Sequence, residues 1–317
     1  MNILITGAAG FIGFHLALSL KNQHKVIGLD NFNCYYDINL KKTRARILQD
    51  NFISTIIEDI KNKDGLKTII KKEKINLIIH LAAQAGVRRS LTHPDDFVSS
   101  NIEGMVSIME CLKENSEVKF IFASSSSVYG ANKKIPFSQD DITDTPLNLY
   151  GATKKAGELI SYAYHHLYKI PMIALRFFTV YGPWGRPDMA YFLFADKINK
   201  GLPIDVFSKG EIMRDFTYID DIISGITNAI NYNCSYEVFN LGSNHPYSVM
   251  DLIKCIEEEL NKKAIINFKP MPLTEVPITY ADIEKSKTLL NFNPKTTLQE
   301  GMHHFLNWFK DYSNAER

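Results

Sequence analysis

The stretch Asn2-Ile-Leu-Ile-Thr-Gly-Ala-Ala-Gly-Phe-Ile-Gly13 limits what this chain can fold into more than any other. Asn2 to Thr6 reads as a buried strand and Phe11 onward as a helix, with Gly7, Gly10 and Gly13 at the junction. Glycines there let the backbone approach a pyrophosphate, which then rests on the helix N-terminus, where free N–H groups and the helix dipole favour anions. The spacing is one residue wider than the usual dinucleotide fingerprint, and a merely tight strand-to-helix turn would use the same glycines. A second apolar run, Val26-Ile-Gly-Leu29, ends in Asp30, at the offset expected of a carboxylate that bonds an adenosine ribose. Junction and carboxylate together point to a bound dinucleotide. A carboxylate accepts from both ribose hydroxyls and repels a 2′-phosphate, so Asp30 favours NAD over NADP. The expected cofactor site also takes in Phe11, Ile12 and Asn31. After the apolar run Phe52 to Ile57 it takes in Asp59 and Ile60, where an acidic strand end can bond an adenine amino group. Lys41, Lys42, Arg44 and Arg46 follow a long loop and form either a solvated helix face or a phosphate or ribose contact.

At 317 residues the chain suits one large α/β unit or two lobes sharing a cleft. With 36 Lys and Arg against 35 Asp and Glu, it has no basic field for nucleic acid and no acidic tail. Cys34, Cys111, Cys234 and Cys255 show no paired spacing, which argues against a zinc site or a disulfide framework and fits a reducing compartment. No metal is expected. The first strand begins at Asn2 and no apolar run approaches the length of a membrane span. The expectation is a cytoplasmic protein without membrane or nucleic-acid partners.

Further strands are predicted over 76–81, 118–123 and 172–176, and helices over 97–114 and 149–168. Continuous apolar strands alternating with helices imply a Rossmann-type doubly wound parallel sheet, with ligands at the carboxyl ends of the strands. After Tyr181, Pro183, Gly185, Pro187, Gly201 and Pro203 punctuate shorter elements. Glu237-Val-Phe-Asn-Leu241 reads as a strand returning to the sheet. The predicted organisation is an NAD-binding domain over 1–177, joined by a returning strand near 236–242, and a smaller interleaved lobe over 178–317. His165-His166 and His303-His304 read as solvated pairs at helix ends.

Tyr150-Gly-Ala-Thr-Lys154 places a phenol and an ammonium one helical turn apart on one face. A lysine beside a phenol favours the phenolate, which predicts a lowered Tyr150 pKa and a general acid/base. The hydroxyl cluster Ser124-Ser-Ser-Ser127 follows a strand expected to end at Ala123, where it can bond a substrate oxygen and share its proton with Tyr150.

With these elements in order, the chain resembles the extended short-chain dehydrogenase/reductase family over essentially its whole length. Gly7, Gly10 and Gly13, then Ser125, then Tyr150 and Lys154 match its motifs. Arg214-Asp-Phe-Thr-Tyr-Ile-Asp-Asp221 and Val276-Pro-Ile-Thr-Tyr-Ala-Asp282 are typical of members acting on nucleotide sugars. Asp30-Asn-Phe-Asn-Cys-Tyr-Tyr36, Ala82-Ala-Gln-Ala-Gly-Val-Arg88, the run from Arg176 to Met189 and Pro203-Ile-Asp-Val-Phe207 are most similar to the UDP-glucuronate 4-epimerases.

The resemblance implies roles. Tyr150 is the base, Lys154 its tuner and nicotinamide-ribose contact, and Ser125 the partner of the reacting hydroxyl. Asn101 holds the active-site backbone near the cofactor, Arg214 neutralises UDP phosphate, and Phe207 lies against the uracil. Arg88 and Arg186 are either anion contacts or structural guanidiniums tying loops. Ser126, Ser127 and Thr179 stand where related enzymes carry an acidic residue or an asparagine, and their hydroxyls suit a substrate that brings its own carboxylate. The implied activity is a redox-neutral 4-epimerisation of UDP-glucuronate to UDP-galacturonate through a 4-keto sugar. UDP-glucose or UDP-N-acetylglucosamine would use the same cofactor and proton-transfer residues. A non-catalytic NAD-sensing protein is a further alternative, against which Tyr150 and Lys154 are both intact. The family pattern also implies a homodimer through 97–114 and 149–168, where Ala152, Ala156, Leu159, Ile160 and Ala163 form a stripe that core packing explains equally well.

Overall fold

The computed structural model describes residues 1–272 and 275–315; residues 273–274 and 316–317, all within the expected 178–317 lobe, lie outside it. The first strand, β1 (Asn2–Thr6), explains why its sequence is apolar without alternation. Ile3 and Ile5 enter one buried layer with Phe14, Leu16 and Leu20 of α1 (Phe11–Leu20), while Leu4 enters the opposite layer. Successive side chains leave a strand on opposite faces, so a strand covered on both sides must be apolar throughout.

Around it follow β2 (Lys25–Asp30), α2 (Ile38–Asp50), β3 (Thr55–Ile57), α3 (Lys63–Glu73), β4 (Leu77–His80), α4 (Val87–Thr92), α5 (Pro94–Phe97), α6 (Gly104–Lys113), β5 (Lys119–Ser125), α7 (Leu149–Tyr168) and β6 (Met172–Phe177). The second half supplies β7 (Thr179–Tyr181), α8 (Ala190–Asn199), β8 (Ile204–Phe207), β9 (Met213–Tyr218), α9 (Ile219–Asn231) and β10 (Tyr236–Leu241). It ends with β11 (Pro246–Ser248), α10 (Val249–Leu260), β12 (Ile266–Lys269), β13 (Ile278–Thr279), α11 (Glu284–Leu290) and α12 (Leu298–Ala315).

Seven strands form one parallel sheet in the order β10-β6-β5-β4-β1-β2-β3. The chain winds outward from β1 in one direction through β3, then restarts at β4 on the other side. The switch point therefore lies between β1 and β4, where a doubly wound sheet opens a crevice at the carboxyl ends of its strands. β10 joins β6 in register from Tyr236 opposite Met172 to Leu241 opposite Phe177. Outside the large sheet, β9 pairs with β7, β11 and β13, and β8 pairs with β12. Of these short strands, β7, β8, β9 and β13 supply residues to the cleft at the carboxyl edge.

Three local readings change. β5 runs through Ser125 rather than stopping at Ala123, so the hydroxyl cluster starts inside the strand. The span 97–114 is not one helix: π-helical turns over Val98–Glu103 separate α5 from α6 and carry Asn101 into the interior. His303 and His304 lie in the first half of α12, not at a helix end, and His303 Nδ1 pairs with Glu259 at 2.9 Å.

Candidate active site

One cleft of about 860 Å³ crosses the carboxyl edge of the sheet. Every sequence-predicted site residue lines it except Asn101. Its cofactor end is shaped by backbone. Gly7 has φ +74°, and a Cβ there would sit 2.7 Å from the Ala82 nitrogen. A Cβ on Gly13 would overlap the Gly7 carbonyl oxygen. No side chain caps α1 at Gly10, so the helix presents its first N–H groups to the cleft. Asp30 closes this end. Its carboxylate accepts from the Ala9 N–H at 3.0 Å and the Phe32 N–H at 2.8 Å, and burial raises its pKa against those bonds. Asn31 donates to Asp59 at 3.0 Å, which holds those two polar side chains together. Uncapped helix, glycine cradle and ribose-side carboxylate fit a dinucleotide.

The basic run divides. Arg44 is fully buried and donates to the Ala9, Trp184 and Gly185 carbonyls at 3.0, 2.6 and 3.0 Å and to the Tyr36 hydroxyl at 2.8 Å. It ties loops and faces no open phosphate position. Lys41 does line the cleft, with its ammonium on the Asn33 carbonyl at 2.8 Å.

At the centre, Asn148 caps α7 by accepting from the Gly151 N–H at 2.9 Å, which fixes Tyr150 in the first turn. The Ser125 hydroxyl lines the cleft with the phenol and acts to lower its pKa. Ser125 Oγ accepts from the Ser127 N–H at 3.1 Å, leaving its proton to donate toward Tyr150. Burial raises the Tyr150 pKa, while the Ser125 hydroxyl and the Arg186 charge act against it. This differs from the expected lowering by Lys154. Lys154 donates to the Ala123 carbonyl at 2.8 Å, its nitrogen lies 6.0 Å from the Tyr150 ring centroid, and burial brings its own pKa down to about 8. The helical spacing is right, but the ammonium is turned toward β5. Asn101 works from behind the cleft: its amide donates to the Gln84 carbonyl and Thr153 hydroxyl at 2.9 and 3.0 Å, and its oxygen accepts from the Gln84 N–H at 2.8 Å. It thereby locks the loop after β4 to the helix that carries Tyr150.

The sugar end holds cations already in partnership. Arg186 makes a bidentate pair with Asp188 at 3.0 and 2.5 Å. Burial opposes its charge, yet Asp188 outweighs this and holds its pKa above the usual arginine value. Arg214 donates to Glu275 at 2.5 Å and to the Met213 and Val276 carbonyls at 2.8 and 2.9 Å. The Arg88 guanidinium lies 4.8 Å from the Phe207 ring centroid. Ser126, Ser127 and Thr179 line the same cleft as Tyr150.

Two further groups help to build the site. Glu158, two turns beyond Tyr150 on α7, makes a buried bidentate pair with Arg176 at 2.9 Å and accepts from Ser124 at 2.6 Å. Tyr35 donates to Asp188 at 2.7 Å. Glu158 stands one turn beyond Lys154 on the same buried face of α7, a spacing available in the sequence; no local pattern marked Tyr35.

Residues 3–242 match the model of the NAD dependent epimerase/dehydratase family. The chain belongs to that family. Among members of known sequence, an uncharacterized protein of Methanocaldococcus jannaschii is 50% identical over 312 residues, 97% of this chain and 96% of that one. UDP-glucuronate 4-epimerase 4 of Arabidopsis thaliana is 44% identical over 336 residues, 100% of this chain and 77% of its own. Among solved structures, the UDP-glucuronic acid 4-epimerase of Bacillus cereus, in complex with UDP-glucuronic acid and NAD, is 37% identical with a TM-score of 0.93, covering 98% of this chain and 100% of that one. The family's cofactor is NAD, which fits the cradle at Gly7, Gly10, Gly13 and Asp30.

Proposed function

We propose that this protein is a UDP-glucuronate 4-epimerase, interconverting UDP-glucuronate and UDP-galacturonate through a 4-keto sugar. The observation that carries this reading is the company of Tyr150: the hydroxyls of Ser125, Ser126, Ser127 and Thr179 line the same cleft, with serine instead of a carboxylate just before Val128. NAD, when bound, supplies the two-electron acceptor and donor for C4 of the sugar. Tyr150 takes the proton of the C4 hydroxyl and later returns it, and Ser125 steadies that oxygen. Arg214 and Phe207 hold the nucleotide as a fixed handle while the flat keto sugar turns over. Ser126, Ser127 and Thr179 grip the sugar carboxylate by hydrogen bonds, away from the alignment with the C4 carbonyl that would release carbon dioxide. A glutamate among them would repel it.

The same reading assigns residues 1–177 with β10 to the cofactor and most of 178–317 to the nucleotide sugar. It also takes the protein to be a cytoplasmic homodimer. Support for the dimer comes from Leu159 and Tyr162 on α7 and Val98 and Val106 beside it, which are 60%, 55%, 40% and 36% exposed. No helix among the described residues is long and apolar enough to cross a membrane. The deciding experiment incubates the purified protein, without added cofactor, with UDP-glucuronate, UDP-glucose or UDP-N-acetylglucosamine and follows the sugar by NMR. UDP-galacturonate is the expected product; turnover of only the uncharged sugars would overturn the assignment.

A further inference from the structure

The loop carrying Arg186 is held from both sides by the segment that follows the cofactor carboxylate. Immediately before Arg186, the buried Arg44 grips the Trp184 and Gly185 carbonyls at 2.6 and 3.0 Å and the Tyr36 hydroxyl at 2.8 Å. Two residues after it, Asp188 accepts from the Tyr35 hydroxyl at 2.7 Å on the same oxygen that pairs with Arg186. Two guanidiniums approach the Tyr35 ring, Arg89 at 4.8 Å and Arg186 at 5.6 Å from its centroid. Its hydroxyl has room only because residue 86 is glycine: a Cβ there would lie 2.5 Å from the oxygen. Tyr35, Asp188, Arg186 and Tyr150 line one cavity.

We propose that Tyr35 and Asp188 are positioning residues: they pin the Arg186 guanidinium in the cleft that the reacting phenol of Tyr150 lines. A guanidinium on a free loop would sample many rotamers, and a bidentate carboxylate removes most of that freedom. The carboxylate is in turn fixed by a phenol from the opposite wall. The pinned cation then favours the Tyr150 phenolate, offsetting part of the burial that disfavours it. The other groups facing Tyr150 are the Ser125 hydroxyl from β5 and Lys154 on its own helix, with the apolar edge of Phe97 packed against the ring. Arg186 is faced by Asp188, Tyr35, Tyr150, Lys154, Lys41 and Tyr191, of which only Asp188 carries negative charge at neutral pH. Burial and the Asp188 bond push Tyr35 itself up to about 12, so it stays a donor throughout the working range.

The proposal rests on Tyr150 being the acid/base, and not on which sugar is the substrate. Its test is therefore read on whichever UDP-sugar the enzyme turns over. Tyr35→Phe removes one hydroxyl and keeps the ring and both cation contacts. Asp188→Asn keeps the shape and removes the charge. The kcat–pH profile is measured for each, alongside KM, melting temperature and NAD released on heating. The ionised fraction of Tyr150 sets the rising limb, so a freed Arg186 moves that limb to higher pH. The expected shift is on the order of one pH unit for Asp188→Asn, a tenfold loss of kcat below the limb, and smaller for Tyr35→Phe. NAD content is expected to stay at the wild-type level. A limb that stays put in Tyr35→Phe overturns the proposal, and with NAD lost it would assign Tyr35 to cofactor binding alone. A limb that moves to lower pH in Asp188→Asn also overturns it, because Asp188 would then be offsetting the Arg186 charge and not placing it. If Asp188→Asn fails to fold, Tyr35→Phe decides alone.

Discussion

At the cofactor end of the cleft, Gly7, Gly10 and Gly13 open the way to the N-terminus of α1 with backbone alone; at the sugar end, Arg186 and Arg214 stand in ion pairs with Asp188 and Glu275. Both ends are proposed to receive phosphate or carboxylate, but by different physics. Backbone N–H groups are fixed by the fold, cannot be protonated away, and are lost only if an added atom blocks them. Side-chain cations carry full charge, must be kept from wandering, and cost desolvation unless paired. A cofactor retained through the cycle suits the first arrangement. A substrate that enters, pivots and leaves suits the second, where each cation is kept in place by its own carboxylate from one turnover to the next.

That contrast breaks first at Gly13→Ala, for which the largest effect is expected. The new methyl would overlap the Gly7 carbonyl and lie 2.9 Å from the Ala8 Cα, so only backbone movement could relieve it. Nucleotide released by heating the purified variant should fall to near zero while the protein remains folded. Full NAD content in Gly13→Ala would mean that the cradle does not need its close approach. Next comes Tyr150→Phe, which should keep NAD and UDP-sugar binding and lose roughly 10²–10⁴-fold in kcat, the usual worth of a positioned acid/base. Ser125→Ala should move the rising limb of the pH profile upward, because its hydroxyl counters the burial that raises the Tyr150 pKa. A downward move would show that Ser125 accepts from the phenol.

How well each end could be read in advance follows the same division. The glycine cradle, Asp30, Tyr150 and Lys154 are short-range patterns: each depends on spacing within one strand, turn or helix. The sheet was legible for the same reason, since double burial writes itself as unbroken apolar runs such as Ile3-Leu4-Ile5. The pairings at the sugar end are not local. Tyr35 and Asp188 are 153 residues apart, and Arg44 and Trp184 140, so only the folded topology joins them. Lys154 shows the limit of spacing itself. Its position one turn from Tyr150 was readable, but the bond that turns its ammonium to the Ala123 carbonyl was not.

Arg214→Met sharpens the comparison from the other side. A charge-assisted hydrogen bond is worth about 1.5–3 kcal/mol, so KM for the UDP-sugar should rise about 10- to 150-fold. NAD content should not change, because the cradle lies at the opposite end of the cleft. The apolar side chain also leaves Glu275 without its partner, so the Glu275→Gln, Arg214→Met double variant is the control for that orphaned carboxylate. If KM stays within twofold in both, Arg214 is a loop tie to Met213 and Val276 and not a phosphate ligand.

The smallest effect is expected from the hydroxyls, and it is the most specific to the sugar. Thr179→Ala or Ser127→Ala removes one of several hydroxyl bonds to the carboxylate, worth about 1.5 kcal/mol, or about tenfold in binding. The rate should therefore fall little. The product mixture is the better reading. A 4-keto glucuronate is a β-keto acid, and it loses carbon dioxide when its carboxylate bond lines up with the carbonyl. Hydroxyls on the carboxylate hold it out of that line; removing one widens the range of rotation and lets a decarboxylated 4-keto pentose appear beside UDP-galacturonate. The effect should be larger in the double variant, since Thr179 begins β7 and Ser127 lies in the turn after β5, so the two hydroxyls come from separate segments of the chain. With UDP-glucose, which has no carboxylate, the same variants should turn over as the wild type does. Equal slowing on both sugars, with no pentose from either, would make Thr179 and Ser127 part of the cleft wall and leave the carboxylate to Arg186.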